Sequence, residues 1–379
     1  MPDQIERLTA TDFDEAMETM GITFGFEEGR SFPMLLPQIY RPTDEWMRCN
    51  YAIRRDGRIV SVVGVFPRDW RVGETTLKLA GIGGVCTLEA YRGQGLMKAL
   101  MDHCVEEMKS EGYHISWLGG QRQRYQYYGY ETCGTRYAYR LSPRNVHHAG
   151  RVARPIQFEL LQEENTEWVT AARALHEQKP VHVIRSQEDF ILYLKSGYCE
   201  PWVALEKGKV IGYISVRDNG VREVAAESPD AALDVLSAWA NRVDALLNVT
   251  VQPDDAGLAR ALGTICEDAS VADSSNWQVF DWVTTLGALL NVKQATTGLA
   301  DGRVCVRIGN ETLNLCMDGG QVSCEVSGET PDLALAPFEA HRLLFGPALP
   351  GHVVEIPDQA RILESWLPLP LGFGRADSV

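Results

Sequence analysis

Along the first 143 residues the apolar positions alternate with polar ones or fall in short blocks, and at two places the spacing switches to that of a helix. Leu8, Phe13, Met17 and Met20 recur at helix-like intervals, so the region from Ile5 to about Tyr40 reads as helical. Two β-rich runs, CNYAIRR (49–55) and RIVSVVGVF (58–66), flank Asp56-Gly57, a pair that favours the tight turn of a hairpin. A further strand pair is expected around 70–72 and 76–88. Leu96, Met97, Leu100, Met101, Cys104, Val105 and Met108 then form one apolar stripe, which predicts a helix packed on the sheet. YHISWLGG (113–120) reads as a buried strand, QRQRYQYYGYE (121–131) as a short helix, and 135–141 as a closing strand pair.

The rhythm repeats more weakly after a polar connector, HHAGRVARP (147–155). A hairpin (201–220), a strand (VREVAA), a helix (DAALDVLSAWANRVDAL) and another strand (LNVTVQ) follow in turn. Beyond them, 303–328 alternates apolar and polar residues with breaks at Gly309-Asn310 and Gly319-Gly320, the pattern of a three-stranded meander, and APFEAHRLLFG reads as a helix. The tail SWLPLPLGFGRADSV is too apolar to float free. The expected fold class is α+β with mixed sheets, in three units: 1–143, 144–285 and 286–379. A chain of 379 residues exceeds one comfortable core, which agrees with several domains.

Composition narrows the function classes. No apolar run is long enough to cross a bilayer, and the start MPDQIERLTATDFDEAM lacks the pattern of a signal peptide, so a cytoplasmic protein that does not enter membranes is expected. The nine cysteines are scattered without a Cys-x-x-Cys pair and read as reduced core residues. The histidines lack metal-site spacing, so no metal is expected. A net charge of −15 opposes nucleic-acid binding. It suits a cationic small-molecule substrate, or it serves solubility alone.

One segment carries chemistry. In GIGGVCTLEAYRGQGLMKALMD (81–102) a strand ends in a Gly-rich turn that opens a helix, so several backbone N–H groups point to one place with the positive end of the helix behind them. Gly93 and Gly95 let the backbone approach a phosphate closely, and Arg92 adds charge. No Gly-x-Gly-x-x-Gly and no Gly-Lys-Ser/Thr follows, which leaves a pyrophosphate as the expected ligand. The second unit has no such turn: its junction reads AAESPDAALD, with Glu227 and Asp230 where an anion would sit.

Arg-Gly-Gln-Gly-Leu-Met after GGVCTL resembles the coenzyme A loop of the GNAT N-acetyltransferases, and Tyr125-Gln126-Tyr127-Tyr128-Gly129-Tyr130 resembles that family's Tyr-x-x-x-Gly-Phe/Tyr turn. Met97 departs from the Gly or Ala usual there. The layout of a GNAT half with the loop, a second half without it and a C-terminal meander is similar to the Eis-like branch, whose third domain resembles sterol carrier protein 2. The sharp motifs lie in 85–131.

The resemblance implies an acetyl-CoA-dependent N-acetyltransferase acting by direct transfer to a primary amine. Val85, Cys86 and Thr87 would lie beside the pantetheine arm, and Arg92, Gly93, Gln94, Gly95, Leu96 and Met97 would take the pyrophosphate. Tyr125 matches the family's general acid: a tyrosine near ~10 can share its proton with a thiolate whose conjugate acid is near ~8.5. Its alternative is a core role, although Tyr127, Tyr128 and Tyr130 can supply that packing. The base in that branch is the terminal carboxylate, here on Val379, where an aromatic residue is expected; the alternative is a frayed end. Glu27 and Glu28, in GFEEGR, either draw the amine or form a solvated loop. Homo-oligomers, often hexamers, are implied as well. The rival readings are a coenzyme A sensor and a lipid or acyl carrier without turnover.

Overall fold

The computed structural model describes residues 4–151 and 154–379. Val152 and Ala153 of the expected connector lie outside the described residues. Three sheets organise the chain, in a mixed α/β fold. The first orders its strands as Ile5–Arg7, Asn50–Arg55, Arg58–Val72, Thr75–Thr87, Ile115–Leu118, Asn276–Val279 and Glu131–Thr132, and Val181–Val183 pairs with the far end of Arg58–Val72. Asp56 and Gly57 both take positive φ, the tight hairpin turn that Asp-Gly favours. Arg58–Val72 is a single strand of 15 residues, where the sequence pattern predicts two shorter pieces, and Thr75–Thr87, of 13 residues, lies one residue from the expected 76–88. Ile5–Arg7 is an edge strand opposite Ile53, Ala52 and Tyr51, not the start of a helix; the helix Phe13–Phe24 follows it.

The second sheet runs Asp268–Ala272, Arg136–Leu141, Leu247–Val251, Gly220–Ala226, Lys209–Arg217, Glu200–Glu206 and Gln157–Leu160. It repeats the connections of the first: antiparallel strands, a 15-residue helix (Leu96–Ser110 in one, Pro229–Val243 in the other), then a strand parallel to the last. The third sheet is the expected meander, Gly302–Ile308, Glu311–Asp318 and Gln321–Val326, with Leu333–Leu335 added in parallel beside Gly302–Ile308.

The first two sheets trade strands. Arg136–Leu141, expected to close the first sheet, pairs instead with Leu247–Val251 and Asp268–Ala272 in the second. In return Asn276–Val279 crosses into the first sheet, between Ile115–Leu118 and Glu131–Thr132. Sheet membership therefore crosses the sequence bounds 1–143 and 144–285.

Most of the tail is packed, with Ser365 and Arg375 left exposed. Phe373 sits among Trp117, Trp277 and Trp70, with ring centroids 5.2, 6.2 and 6.4 Å away. Leu371 O accepts from Thr135 N at 2.8 Å. Asp377 reaches the wholly buried Arg185: Nε donates to Asp377 Oδ1 at 2.8 Å, while Nη1 and Nη2 fork onto Glu223 at 2.9 and 2.8 Å. Tyr213 Oη also donates to Glu223, at 2.6 Å. Arg185 holds the Glu223 carboxyl well below its ordinary range, against the burial that alone would raise it.

The strand Asn276–Val279 is pinned from the third unit by His341, on the helix Pro337–Phe345. Val279 N donates to His341 Nε2 at 3.2 Å, so Nε2 is unprotonated and the proton on Nδ1 goes to Pro337 O at 2.7 Å. Burial lowers this imidazole from 6.5 to about 4. A base with a depressed folded pKa stabilises fully above its unfolded value and loses that contribution as pH falls through the folded one. The urea midpoint is therefore expected to fall between pH 6.5 and about 4. His341→Phe should flatten that slope while lowering stability at neutral pH by about 1–3 kcal/mol, because Val279 N loses its acceptor.

Candidate active site

The strand Thr75–Thr87 is paired with Ile115–Leu118 only as far as Ile82, opposite Leu118. From Gly83 to Thr87 its edge on that side is open. The strand also bulges here: Val62 faces Cys86 while Gly64 faces Gly83, so one extra residue is inserted around Gly84 and Val85. Gly84 has φ +62°, and a Cβ there would lie 2.7 Å from Tyr40 Oη and 2.9 Å from Met20 Sδ. A bulge takes backbone groups out of the ladder with Arg58–Val72 and bends the strand beside its open edge.

A cleft of about 520 Å³ lies against this edge. Val85, Cys86 and Thr87 line it from the strand, and Arg92, Gly93, Gly95, Leu96 and Met97 from the turn and the start of the helix Leu96–Ser110. Gln94 is exposed and is not among the lining residues. Gly93 and Gly95 have φ +78° and +81°, and a Cβ at either would meet nothing within 4 Å, so they are required by backbone conformation and not by crowding. Gly95 caps the helix without a side-chain acceptor, which leaves the first amides of the helix open to the cleft. In the second unit the equivalent helix Pro229–Val243 is closed: Ser228 Oγ accepts from Ala231 N at 3.1 Å, and Pro229 brings no N–H.

Sequence reasoning missed Thr23, Tyr91, Lys98, Arg124 and Tyr128, which line the same cleft. For Arg124 a signal exists in the basic pair Arg122 and Arg124. Arg122 is spent on the buried carboxylate of Glu131, whereas Arg124 stays exposed beside the cleft. Tyr125 is buried in the short helix Arg122–Tyr125, its ring packed so closely on Gly120 that a Cβ there would lie 2.5 Å from Cε2. Burial raises its phenol above the ordinary value, and neighbouring Arg124 draws it partly back. Tyr130 is core, donating to or accepting from Ser116 Oγ at 2.6 Å. Tyr127 is 88% exposed and contributes no core packing, contrary to its expected role. Cys86 is buried and its thiol is pushed up to about 12, which keeps it protonated and inert at neutral pH.

Val379 lies on the same strand. A Cβ on Gly83 would come within 2.8 Å of its carboxyl carbon, and one on Gly81 within 2.6 Å of its Cγ2. Gln38, fully buried, donates to Ser378 O at 3.0 Å and fixes the approach. Tyr40, whose buried hydroxyl has no partner among the described residues, stands at the adjacent bulge. Val379 also lines a second cleft of about 370 Å³, with Trp117, Ser275, Phe373, Arg136 and Arg222 among its walls. Glu27 and Glu28 are exposed, Glu27 lies 3.6 Å from Arg30, and neither lines either cleft. Among the described residues no three His, Cys, Asp or Glu side chains gather as a metal site would require, and no helix is long and apolar enough to cross a membrane.

Residues 4–133 match the family model described as "Acetyltransferase (GNAT) domain". A comparison with curated protein sequences gives no match. Among solved structures, a GCN5-related N-acetyltransferase from Kribbella flavida aligns at TM-score 0.69 and 17% identity over 99% of this chain and 98% of its own. A conserved protein of unknown function and probable N-acyltransferase from Enterococcus faecalis aligns at 0.69 and 14%, over 98% of each chain. Eis1 from Mycobacterium abscessus aligns at 0.66 and 14%, over 99% of this chain and 100% of its own. At these identities the likeness is one of fold. The first unit thus carries a GNAT acetyltransferase domain, within a fold shared along nearly the whole chain.

The tail can lie on the strand only because Gly81 and Gly83 have no side chains. Gly83→Ala is expected to leave the sheet folded and to release residues 376–379, seen as faster hydrogen exchange there and as new sensitivity to carboxypeptidase. Unchanged protection would mean that the strand yields and the tail does not.

Proposed function

We propose that this protein is an acetyl-CoA-dependent N-acetyltransferase that moves the acetyl group directly to a primary amine of a small molecule. The observation that carries the reading is the open, bulged edge from Gly83 to Thr87 running into an uncapped helix start with two left-handed glycines. An extended pantetheine arm can pair with such an edge as an added strand. The amides from Gly93 to Met97 and the side chain of Arg92 suit the pyrophosphate, with Arg124 adding positive charge at the rim and Lys98 paired with Asp102. Met97 does not weaken this, since its amide is the donor.

In this reading a strand N–H at the bulge polarises the thioester carbonyl as negative charge builds. The C–N bond forms as the C–S bond breaks, Tyr125 supplies a proton to the departing thiolate, and the carboxylate of Val379 takes one from the amine. Val379 lies against the strand and Tyr125 is packed on Gly120, just beyond the neighbouring strand Ile115–Leu118; in this reading one ternary complex holds both substrates and gains rate from proximity. We read the second sheet as a GNAT-like half without a cofactor loop, supported by its repeated connections and closed helix start, and the third unit as similar to sterol carrier protein 2. The core of that unit is filled by Val304, Leu313, Leu343, Leu344 and Trp366, and its tail leaves toward Gly83; both favour an enzyme over a lipid carrier. Assembly into homo-oligomers rests on the family resemblance alone. The expectation of a cationic acceptor drew on the net charge and on Glu27 and Glu28, which stand apart from both clefts, so the proposal keeps the amine and not a cationic character.

The test is release of coenzyme A from acetyl-CoA across a panel of amines. Tyr125→Phe is expected to lower kcat by roughly 100-fold or more with little change in acetyl-CoA affinity, and a chain lacking Ser378 and Val379 to lose acceptor-dependent release. Acetyl-CoA binding without release for any amine would favour a coenzyme A sensor.

A further inference from the structure

The second cleft has an unusual charge. Its walls include Arg136 from Arg136–Leu141, Arg217 from Lys209–Arg217, Arg222 from Gly220–Ala226 and Arg375 from the tail, and no Asp or Glu. Arg217 is partly satisfied, by Gly197 O at 3.2 Å and by Asp218 at 3.7 Å. Arg136, Arg222 and Arg375 make no ion pair and no side-chain hydrogen bond among the described residues. The acid nearest in sequence to Arg375, Asp377, is committed to Arg185. Among the described residues the only negative group on the walls is the carboxylate of Val379.

The chain holds 51 acidic residues against 36 Lys and Arg, so free arginines facing one another are not a by-product of an overall excess of positive charge. They are also close enough to be felt: burial, then the like charges of Arg222 and Arg136, depress the Arg375 guanidinium below its ordinary value. Gathering like charges in a partly enclosed space is unfavourable unless an anion offsets them. Guanidinium groups match carboxylate and phosphate oxygens through paired N–H donors, a geometry that a lysine cluster would not offer. Trp117, Leu35 and Leu36 add apolar wall, which limits solvent at the same place.

We infer that the acceptor bears an anionic group, a carboxylate or phosphate, on the same molecule as its amine, and that Arg136, Arg222 and Arg375 grip this group so that the amine points toward Val379 and the strand at Gly83. This rests on the acetyl-transfer reading above. It explains why the cleft that adjoins Val379 is positive in an acidic protein, and it turns the acceptor from a polycation into an amino acid or an aminoalkyl phosphate.

The probes are matched pairs: 4-aminobutyrate against 1,4-diaminobutane, and O-phosphoethanolamine against ethanolamine. Coenzyme A release and calorimetric binding without acetyl-CoA are measured for the wild type, for Arg136→Gln/Arg222→Gln, and for Arg136→Lys/Arg222→Lys. Acetyl-CoA affinity in each variant controls for folding. The expected result is a kcat/KM for the anionic member of at least one pair ~10-fold or more above its partner, lost in the Gln variant and partly kept in the Lys variant, with acetyl-CoA affinity unchanged. Which pair responds separates carboxylate from phosphate. Equal or better turnover of 1,4-diaminobutane and ethanolamine, indifferent to both arginines, would overturn the inference and leave the acetyltransferase standing. Arginine-dependent binding of an anionic probe with no release from any amine would support the grip and sink the transfer reading. Absence of both binding and release with every anionic probe would overturn the inference.

Discussion

Arg185 is the joint on which the arrangement of the site depends. A guanidinium wholly out of water is tolerable only when its charge and its donors are matched, and here the match comes from two places far apart in the chain, Glu223 in the second sheet and Asp377 in the tail. Two residues beyond Asp377, Val379 lies over Gly81 and Gly83 of the first sheet. One buried ion triad therefore registers the second sheet, the tail and the strand Thr75–Thr87 against each other. Loosening it would leave each sheet intact and lose the geometry between them.

The strand Thr75–Thr87 owes its shape to what it lacks. Gly81 and Gly83 clear one face for the tail, Gly84 turns through the bulge beside Tyr40, and the missing partner beyond Ile82 exposes the edge. The two clefts that result differ in kind. The first is bounded by the open strand edge and a helix start; the second is bounded largely by side chains gathered from distant parts of the chain, from Leu35 to Val379, the usual way to build selectivity.

What could be read from the sequence was local. The Asp56-Gly57 hairpin, the Arg-Gly-Gln-Gly turn, the apolar stripe from Leu96 to Met108 and the breaks at Gly309-Asn310 and Gly319-Gly320 each depend on neighbours within a few residues, and the structure has them where the pattern placed them. The traded strands were not legible, because Arg136–Leu141 and Asn276–Val279 are short and nothing in their own residues names the sheet they join. The second cleft was hidden for the same reason: its arginines are spread from 136 to 375, and the overall negative charge pointed the other way. Glu27 and Glu28, adjacent and conspicuous, drew attention to a loop that faces neither cleft.

The exchange of strands also sets an order in time. Domains generally form as units during synthesis, the N-terminal one first. The first sheet cannot do so, because the strand that covers Ile115–Leu118 is made only at residues 276–279, after the whole second sheet. Until then the ribosome carries a chain whose strand Thr75–Thr87 has its hairpin while its neighbour Ile115–Leu118 lacks a closing partner. The price of building each half with a piece of the other is a long interval in which both are unfinished, and a protein that becomes competent all at once.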